Sequence, residues 1–267
     1  MPALGVARGW TNDCSEQSAS LAQVIPAGGR ALVSEQVFLS LLEALLSGRY
    51  SPGERLPTQR RLAADLGVTM GSLREALKRL EQMGLVESRQ GDAMRVRDWR
   101  EHGGLDVIAH LLFRSGGLDA GVLDDLLEAR GAMLREVASL AAGRRDDGQA
   151  ARLVELAEAV DAAPDDAAAQ RVDFAFFTEL AEASGNVVFV LIVNSIRGLY
   201  FEHAAGLPVT ARHEELAPLY ARAARAVAER DSAAAGEAVG DLAERQRARV
   251  KEALGQPGEA GQGPPTQ

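Results

Sequence analysis

Cysteine occurs once, at Cys14, so the chain can close no internal disulfide and offers no thiolate-rich metal site. Aromatic residues are scarce, with seven Phe, three Tyr and two Trp, so any local concentration of them asks for a reason. Lysine is almost missing: Lys78 and Lys251 are the only two, and arginine carries the positive charge. No apolar run approaches the roughly 18 residues of a membrane span. The N-terminal text MPALGVARGWTNDCSEQ lacks the basic-then-apolar layout of a secretion signal. The expectation is a cytoplasmic protein with no membrane partner. Catalytic patterns are lacking as well. There is no Ser/His/Asp set, no nucleotide loop and no pair of carboxylates with a pocket, and Lys251 sits beside the C-terminal tail, poorly placed for a Schiff base. The chain is expected not to be an enzyme and to need no cofactor.

What is present is enough apolar material for a core, 46% of 267 residues, and enough length for two domains. The net charge of −9 is unevenly spread. Residues 29–100 carry 12 Lys and Arg against 9 Asp and Glu, whereas residues 101–267 carry 16 against 27. If one block meets a polyanion, it is the first.

Periodicity divides that block into short elements. RALVSEQVFLSLLEALLSG, from Arg30 to Gly48, sets Val33, Val37, Leu41 and Leu45 four apart, which reads as an amphipathic helix stopped by Gly48. LPTQRRLAADLG reads as a second helix capped by Thr58. VTMGSLREALKRLEQMG reads as a third, capped by Thr69, with Leu73, Leu77 and Leu80 on one face. LVESRQGDAMRVRDW then gives two strand-like runs around a Gln-Gly-Asp turn.

Helix, helix, tight turn, helix and hairpin within about 70 residues is the layout of a winged helix-turn-helix. The third helix would enter a major groove, with Thr69 and Ser72 at its N-terminus and Arg74 and Lys78 one turn apart opposite the leucines. Arg60 opens the second helix, and the hairpin tip Arg89-Gln90-Gly91 could reach a minor groove. Glu75 and Arg79 read as an i,i+4 pair. The text PGERLPTQRRLAADLGVTMGSLREALKRLEQMGLVESRQG resembles the DNA-binding domain of the GntR family of bacterial repressors, over residues 32–97. The resemblance implies that Arg60, Thr69, Ser72, Arg74, Gln90 and Gly91 occupy the family's contact positions on double-stranded operator DNA. One position departs: Met70 stands where relatives usually place Arg, and a methionine can touch a thymine methyl but cannot bridge guanine O6 and N7.

After Trp99 the pattern is helical to about Leu254. The expected fold is mainly α: a flexible tail over 1–28, a winged helix-turn-helix over 29–98, a linker helix over 99–117, an all-helical bundle over 118–254 for effector binding and dimerisation, and a disordered tail over 255–267. Expected helices in the bundle are Leu118–Ala142, Gln149–Ala162, Asp165–Ser184, Val187–Gly206, Ala211–Arg230 and Ser232–Leu254. Such a bundle joined to a GntR-type domain is similar to the FadR subfamily, which implies a homodimer whose effector alters operator binding through the linker. Usual members of the subfamily hold a metal through an Asp, a His four residues on, and two later His, and sense small organic acids.

In DFAFFTELAEASGN the Asp is present as Asp173, but Phe177 stands at the first His position. Tyr220 falls at the second, and the third lies near Leu242. His102, His110, His203 and His213 sit elsewhere, the last two reading as surface or capping residues. The replacements turn a polar pocket apolar, leave Asp173 without its partner and point to no metal. DFAFFTELAEASGNVVFVLIVNSIRGLY is similar to the metal-free, acyl-CoA-binding branch of the subfamily. That resemblance implies a small-molecule effector of acyl-CoA or similar lipid-like type. Phe177, Val190, Asn194, Tyr200 and Tyr220 would line its cavity, and Arg130 and Arg197 would meet its anionic end. A small organic acid is the alternative effector.

Overall fold

A computed structural model of the chain describes residues 30–88, 94–114, 117–203 and 209–255. The chain divides into two compact units at Gly117/Leu118.

The first unit opens with α1, Arg30–Leu46, whose Val37, Phe38, Leu41, Leu42 and Leu45 recur at helical spacing and are all buried. Gly48, at φ +77°, ends it in the left-handed conformation that glycine adopts without strain. The second helix, α2 (Gln59–Asp65), starts where Thr58 accepts a hydrogen bond from the Arg61 amide at 3.3 Å. The third, α3 (Met70–Gln82), starts where Thr69 Oγ1 accepts from the Ser72 amide at 3.2 Å. It ends at Gly84, φ +72°, where a Cβ would lie 2.5 Å from the His102 carbonyl oxygen. Strands β1 (Val86–Glu87) and β2 (Arg95–Val96) pair antiparallel, Val86 opposite Val96. Residues 53–56 run along the other edge of β2, with Gly53 donating to Val96 at 2.8 Å and Leu56 to Met94 at 2.8 Å.

Two sequence expectations change here. Arg79 does not turn to Glu75; it pairs with Glu35 on α1 and stacks on Phe38, its guanidinium carbon 3.7 Å from the ring centre. The aromatic face and the carboxylate together outcompete an exposed helical neighbour. The linker is not one helix: Gly103 and Gly104 break it into α4 (Trp99–His102) and α5 (Asp106–Leu112). His110 of α5 sets its ring edge on Phe38 at 5.7 Å, and Val107 is buried with the core of this unit. Two-residue strands β3 (Phe113–Arg114) and β4 (Gly117–Leu118) follow.

The second unit contains α6 (Ala120–Arg144), α7 (Asp147–Asp161), α8 (Asp166–Ala183), α9 (Val187–Ser195), one π-helical turn (Leu199–His203), α10 (His213–Ala228) and α11 (Ser232–Gly255). Aspartates punctuate it. Asp119, Asp146, Asp165 and Asp231 each accept from an amide in the first turn that follows, and Asp146 closes a capping box with Gln149. The two long helices α6 and α11 pack along each other, and α8 lies against α6, α7 and α9. Sequence periodicity suggested one helix from Val187 to Gly206, but it stops at Ser195. The Tyr200 carbonyl instead accepts from Gln170 Nε2 at 3.2 Å, which helps hold the backbone in a π turn.

Candidate functional site

Two groups of residues invite a functional reading, one on each unit. On the first, α3 presents Arg74 and Lys78 to solvent on one stripe, while Leu73, Ala76, Leu77 and Leu80 face the core. Arg60 is exposed on α2. Thr69 is exposed as the cap, and Ser72 is buried with its hydroxyl 3.1 Å from Thr69 Oγ1, so its contribution is to fix the start of α3. Met70 is half-buried against the core of the unit, and Gly71 beside it is exposed. Three other basic side chains of this unit have internal partners: Arg61 faces Asp65 at 3.7 Å, Arg95 donates to the Gly53 carbonyl at 3.1 Å, and Arg79 is taken by Glu35. Arg60, Arg74 and Lys78 are exposed basic side chains near the capped N-terminus of α3. Gln90 and Gly91 lie outside the described residues.

On the second unit the geometry centres on Asp173, which is fully buried in α8. It is not without partners, as the sequence suggested. Tyr200 and Tyr220 both donate their hydroxyls to it, and Gln246 Nε2 donates to Oδ1 at 2.7 Å and to the Tyr220 oxygen at 2.8 Å. Arg130 of α6 donates from Nη1 to Gln246 Oε1 at 2.9 Å, and its Nη2 lies 3.7 Å from Asp173 Oδ2. Its guanidinium carbon also lies 4.5 Å from the Phe177 ring centre. Burial first, and then the negative charge of Asp173, push both tyrosine hydroxyls well above their ordinary pKa. They remain neutral donors.

The pocket around Asp173 is thus not the apolar one that the substitutions suggested. Two tyrosines brought hydroxyls with their rings, and Gln246 completed the set. Leu242, where the third His was aligned, is part of the apolar core; the residue that reaches the site is Gln246, one turn further along α11. Its signal was in the sequence. Ala235, Val239, Leu242 and Gln246 fall on one helical stripe, and a lone amide on a buried stripe needs a partner. Among the described residues, no group of three or more His, Cys, Asp or Glu is placed to hold a metal ion. His213 is neither a surface residue nor a side-chain cap. It is buried at the start of α10, with Nδ1 at 2.7 Å from Asp166 Oδ1 and Nε2 at 3.0 Å from the Ala163 carbonyl.

Beside the Asp173 network lies a small cavity of about 50 Å³. Leu123, Leu126, Leu127, Ile196, Leu199 and Val209 line it together with the apolar parts of Arg130, Gln170 and Tyr200. Arg130 Nη2 is buried with no hydrogen-bond partner, 3.7 Å from Asp173 Oδ2. Of the effector residues expected from sequence, Arg130, Phe177, Tyr200 and Tyr220 converge on this centre. The others do not. Val190 is half-buried against the bundle core, and Asn194 is exposed on α9. Arg197 stacks on Phe174 at 4.8 Å, in a separate open groove of about 430 Å³ that also holds Arg152, Arg171, Glu179 and Phe201.

Comparison with known proteins follows the same division. Residues 33–96 match the family model for bacterial regulatory proteins of the gntR family, and residues 125–245 match the FCD domain. The HTH-type transcriptional regulator Mce2R of Mycobacterium tuberculosis is 40% identical over 216 residues, covering 80% of this chain and 90% of that protein. The fatty acid metabolism regulator protein of Erwinia tasmaniensis is 31% identical over 161 residues, 60% of this chain and 66% of that one. Among solved structures, Lar, which controls expression of the Listeria monocytogenes agr system, aligns with a TM-score of 0.51 at 18% identity. It covers 82% of this chain and 96% of its own, and at that identity the likeness speaks for the fold alone.

Proposed function

The chain belongs to the gntR family of bacterial regulatory proteins, with an FCD domain as its second unit, and from that premise we propose that it is a metal-free regulator answering to a lipid-like effector such as an acyl-CoA. That it is a DNA-binding transcriptional regulator and not an enzyme comes with the family. The finer statements are ours. It acts as a homodimer on a pseudo-palindromic operator, with Arg60, Arg74 and Lys78 meeting the duplex beside the Thr69 cap and Gln90 and Gly91 as further contact positions.

The observation that carries the effector reading is the company Asp173 keeps. Where usual members of the subfamily set imidazoles, this chain has Phe177, Tyr220 and a leucine near 242, and the neutral phenols of Tyr200 and Tyr220, with Gln246 and Arg130, form the shell of Asp173. Neutral phenols, an amide and a guanidinium are a poor donor set for a transition metal, which favours imidazole or thiolate. The carboxylate has its charge satisfied without one. The adjoining wall is aliphatic, which suits a hydrocarbon chain. A relative named for fatty acid metabolism supports the same choice.

At about 50 Å³ the cavity has room for only three or four water-sized groups, so a chain must push the wall outward. Leu199 and Tyr200 belong to the π turn that lines it, a less regular segment than the flanking helices. An effector that binds only the opened form and thereby favours a population with weaker operator affinity would act by population shift. The small volume also keeps a small organic acid as the second reading. Shift assays on DNA selected by the protein from a random pool, run with acyl-CoAs of increasing chain length, separate the two. Release by long chains is the expected result. Release by none of them, together with stoichiometric zinc, nickel or manganese in the purified protein, would overturn the effector assignment and leave the DNA assignment standing.

A further inference from the structure

Large apolar side chains left in solvent gather around α9. Among the described residues eight are exposed, and four of them fall between residues 187 and 201. Val187, Val188 and Leu191 are 68%, 56% and 59% exposed on α9, and Phe201 follows beyond its end at 38%. With Asn194 and Ser195 the three aliphatics form one stripe at helical spacing, opposite the buried Val193. No residue of α9 carries a charge. A helix this apolar that buries one residue has an uncovered face.

Charge stands at both ends of that face. Glu182 lies on α8 just before the turn into α9, and Arg197 comes two residues after the end of α9. Both border the open groove that Arg152, Arg171 and Glu179 also line, so the groove meets α9 at each end. Glu182 and Arg197 are exposed, and neither has an ion-pair partner among the described residues. Arg197 is held in place by Phe174, whose ring centre lies 4.8 Å from its guanidinium carbon.

We propose that the α9 stripe is the centre of an interface with a second copy of this chain, the two α9 helices lying antiparallel across a two-fold axis near Leu191. This rests on the homodimer reading and adds where in the second unit the two copies meet. An uncharged stripe is complementary to itself, as a two-fold interface requires. Antiparallel pairing sets the Val187 end of each helix beside the Ser195 end of the other copy. It thereby carries Glu182 of each copy toward Arg197 of the partner subunit, twice over. Leu191 at the middle and the charges at the edge make an apolar centre with a polar rim. Four apolar side chains fall short of the roughly 800 Å² per partner of a standard interface, so the groove rim belongs to it as well. Both signs of charge on that rim suit a second copy. A nucleic acid or an anionic membrane would be repelled by Glu179 and Glu182.

The test is analytical ultracentrifugation of the full chain over a dilution series, with circular dichroism to check folding. Leu191→Arg sets two guanidinium groups against each other at the axis and is expected to weaken the dimer about a hundredfold or more. Glu182→Arg and Arg197→Glu each bring like charges together twice, and each is expected to weaken it about tenfold. The double variant restores opposite signs and is expected to recover most of that loss, which a general effect on folding would not produce. An unaltered protein that is monomeric at every concentration overturns the homodimer reading, and this proposal with it. A dimer whose dissociation constant Leu191→Arg leaves unchanged overturns this interface alone and leaves the homodimer standing. Weakening in both single charge variants without recovery in the double one overturns the antiparallel pairing. Should Leu191→Arg fail to fold, the charge series decides by itself.

Discussion

The two units use charge in opposite ways. In the first, the basic residues that face solvent are unburied side chains on helices whose buried faces carry no charge: Arg60, Arg74 and Lys78 stand over Leu62, Leu73 and Leu77. In the second, charge is taken inside and answered there. Arg130 and Asp173 share the bundle centre, Arg145 donates to the carbonyls that end α10, and Arg249 is buried beside Glu215 and Glu252. A face that must attract any phosphate backbone needs charge that is cheap to expose and free to reorient. A site that must tell one small molecule from another needs charge that is costly to disturb, because selectivity comes from the penalty for a wrong partner. On this view, stripping charge from the first unit costs binding and spares stability, and stripping it from the second costs stability before anything else.

The strongest way to break that contrast is Asp173→Ala. It leaves Arg130 buried without a counter-charge and three donors without an acceptor, so the second unit is expected to lose about 3–5 kcal/mol of stability. Urea titration followed by circular dichroism would measure it. A loss below about 1 kcal/mol would mean that water already reaches the pair and that the centre is no selective site. Next in size is Arg74→Ala, expected to cost about 1–3 kcal/mol of specific DNA binding while the melting temperature stays put. Affinity should also fall steeply with salt, since phosphate contacts release counterions. A flat dependence of affinity on salt would remove the first unit's half of the comparison. Smaller again is Thr69→Ala, which removes the acceptor for the Ser72 amide and frees the buried Ser72 hydroxyl. About 1 kcal/mol of stability is expected to go, with a parallel loss of DNA affinity because the cap sits at the start of α3.

The contrast also explains what could be read along the chain before the fold was known. Thr58 and Thr69 as caps, Gly48 and Gly84 as stops, and the leucine stripe of α3 are local features, each set by neighbours three or four residues away. The Asp173 site is not local. Its partners Tyr200, Tyr220 and Gln246 lie 27, 47 and 73 residues further on, and nothing near Asp173 announces them. Resemblance to metal-binding relatives located Phe177 and Tyr220 at one site but described them by what they lacked. It took the fold to show that a tyrosine in place of an imidazole still brings a donor. Arg79 is the first unit's counterpart: the nearby Glu75 was a fair choice of partner, and Glu35, 44 residues away, is the one that holds it.

The smallest effect sharpens the contrast most, because it asks whether the second unit's interior really keeps a charge. Both ring nitrogens of His213 face acceptors, the Asp166 carboxylate and the Ala163 carbonyl, and a neutral imidazole can donate to only one of them. The hydrogen bond from the His213 ring to the Asp166 carboxylate raises the His213 pKa above its ordinary 6.5, outweighing the burial that opposes it, with the Ala163 carbonyl adding to the rise. A folded pKa above the unfolded one means that the protonated form stabilises the fold. The contribution is therefore complete below about pH 6.5 and is lost as pH climbs through the raised folded value. His213→Gln can fill the same space without titrating. The stability gap between the two proteins, measured by thermal melts across neutral pH, is expected to be widest on the acid side and to narrow toward the alkaline side. A gap that stays constant or widens with pH would show His213 neutral in the fold, and the second unit would then tolerate an unanswered acceptor in its interior, against everything the Asp173 network implies.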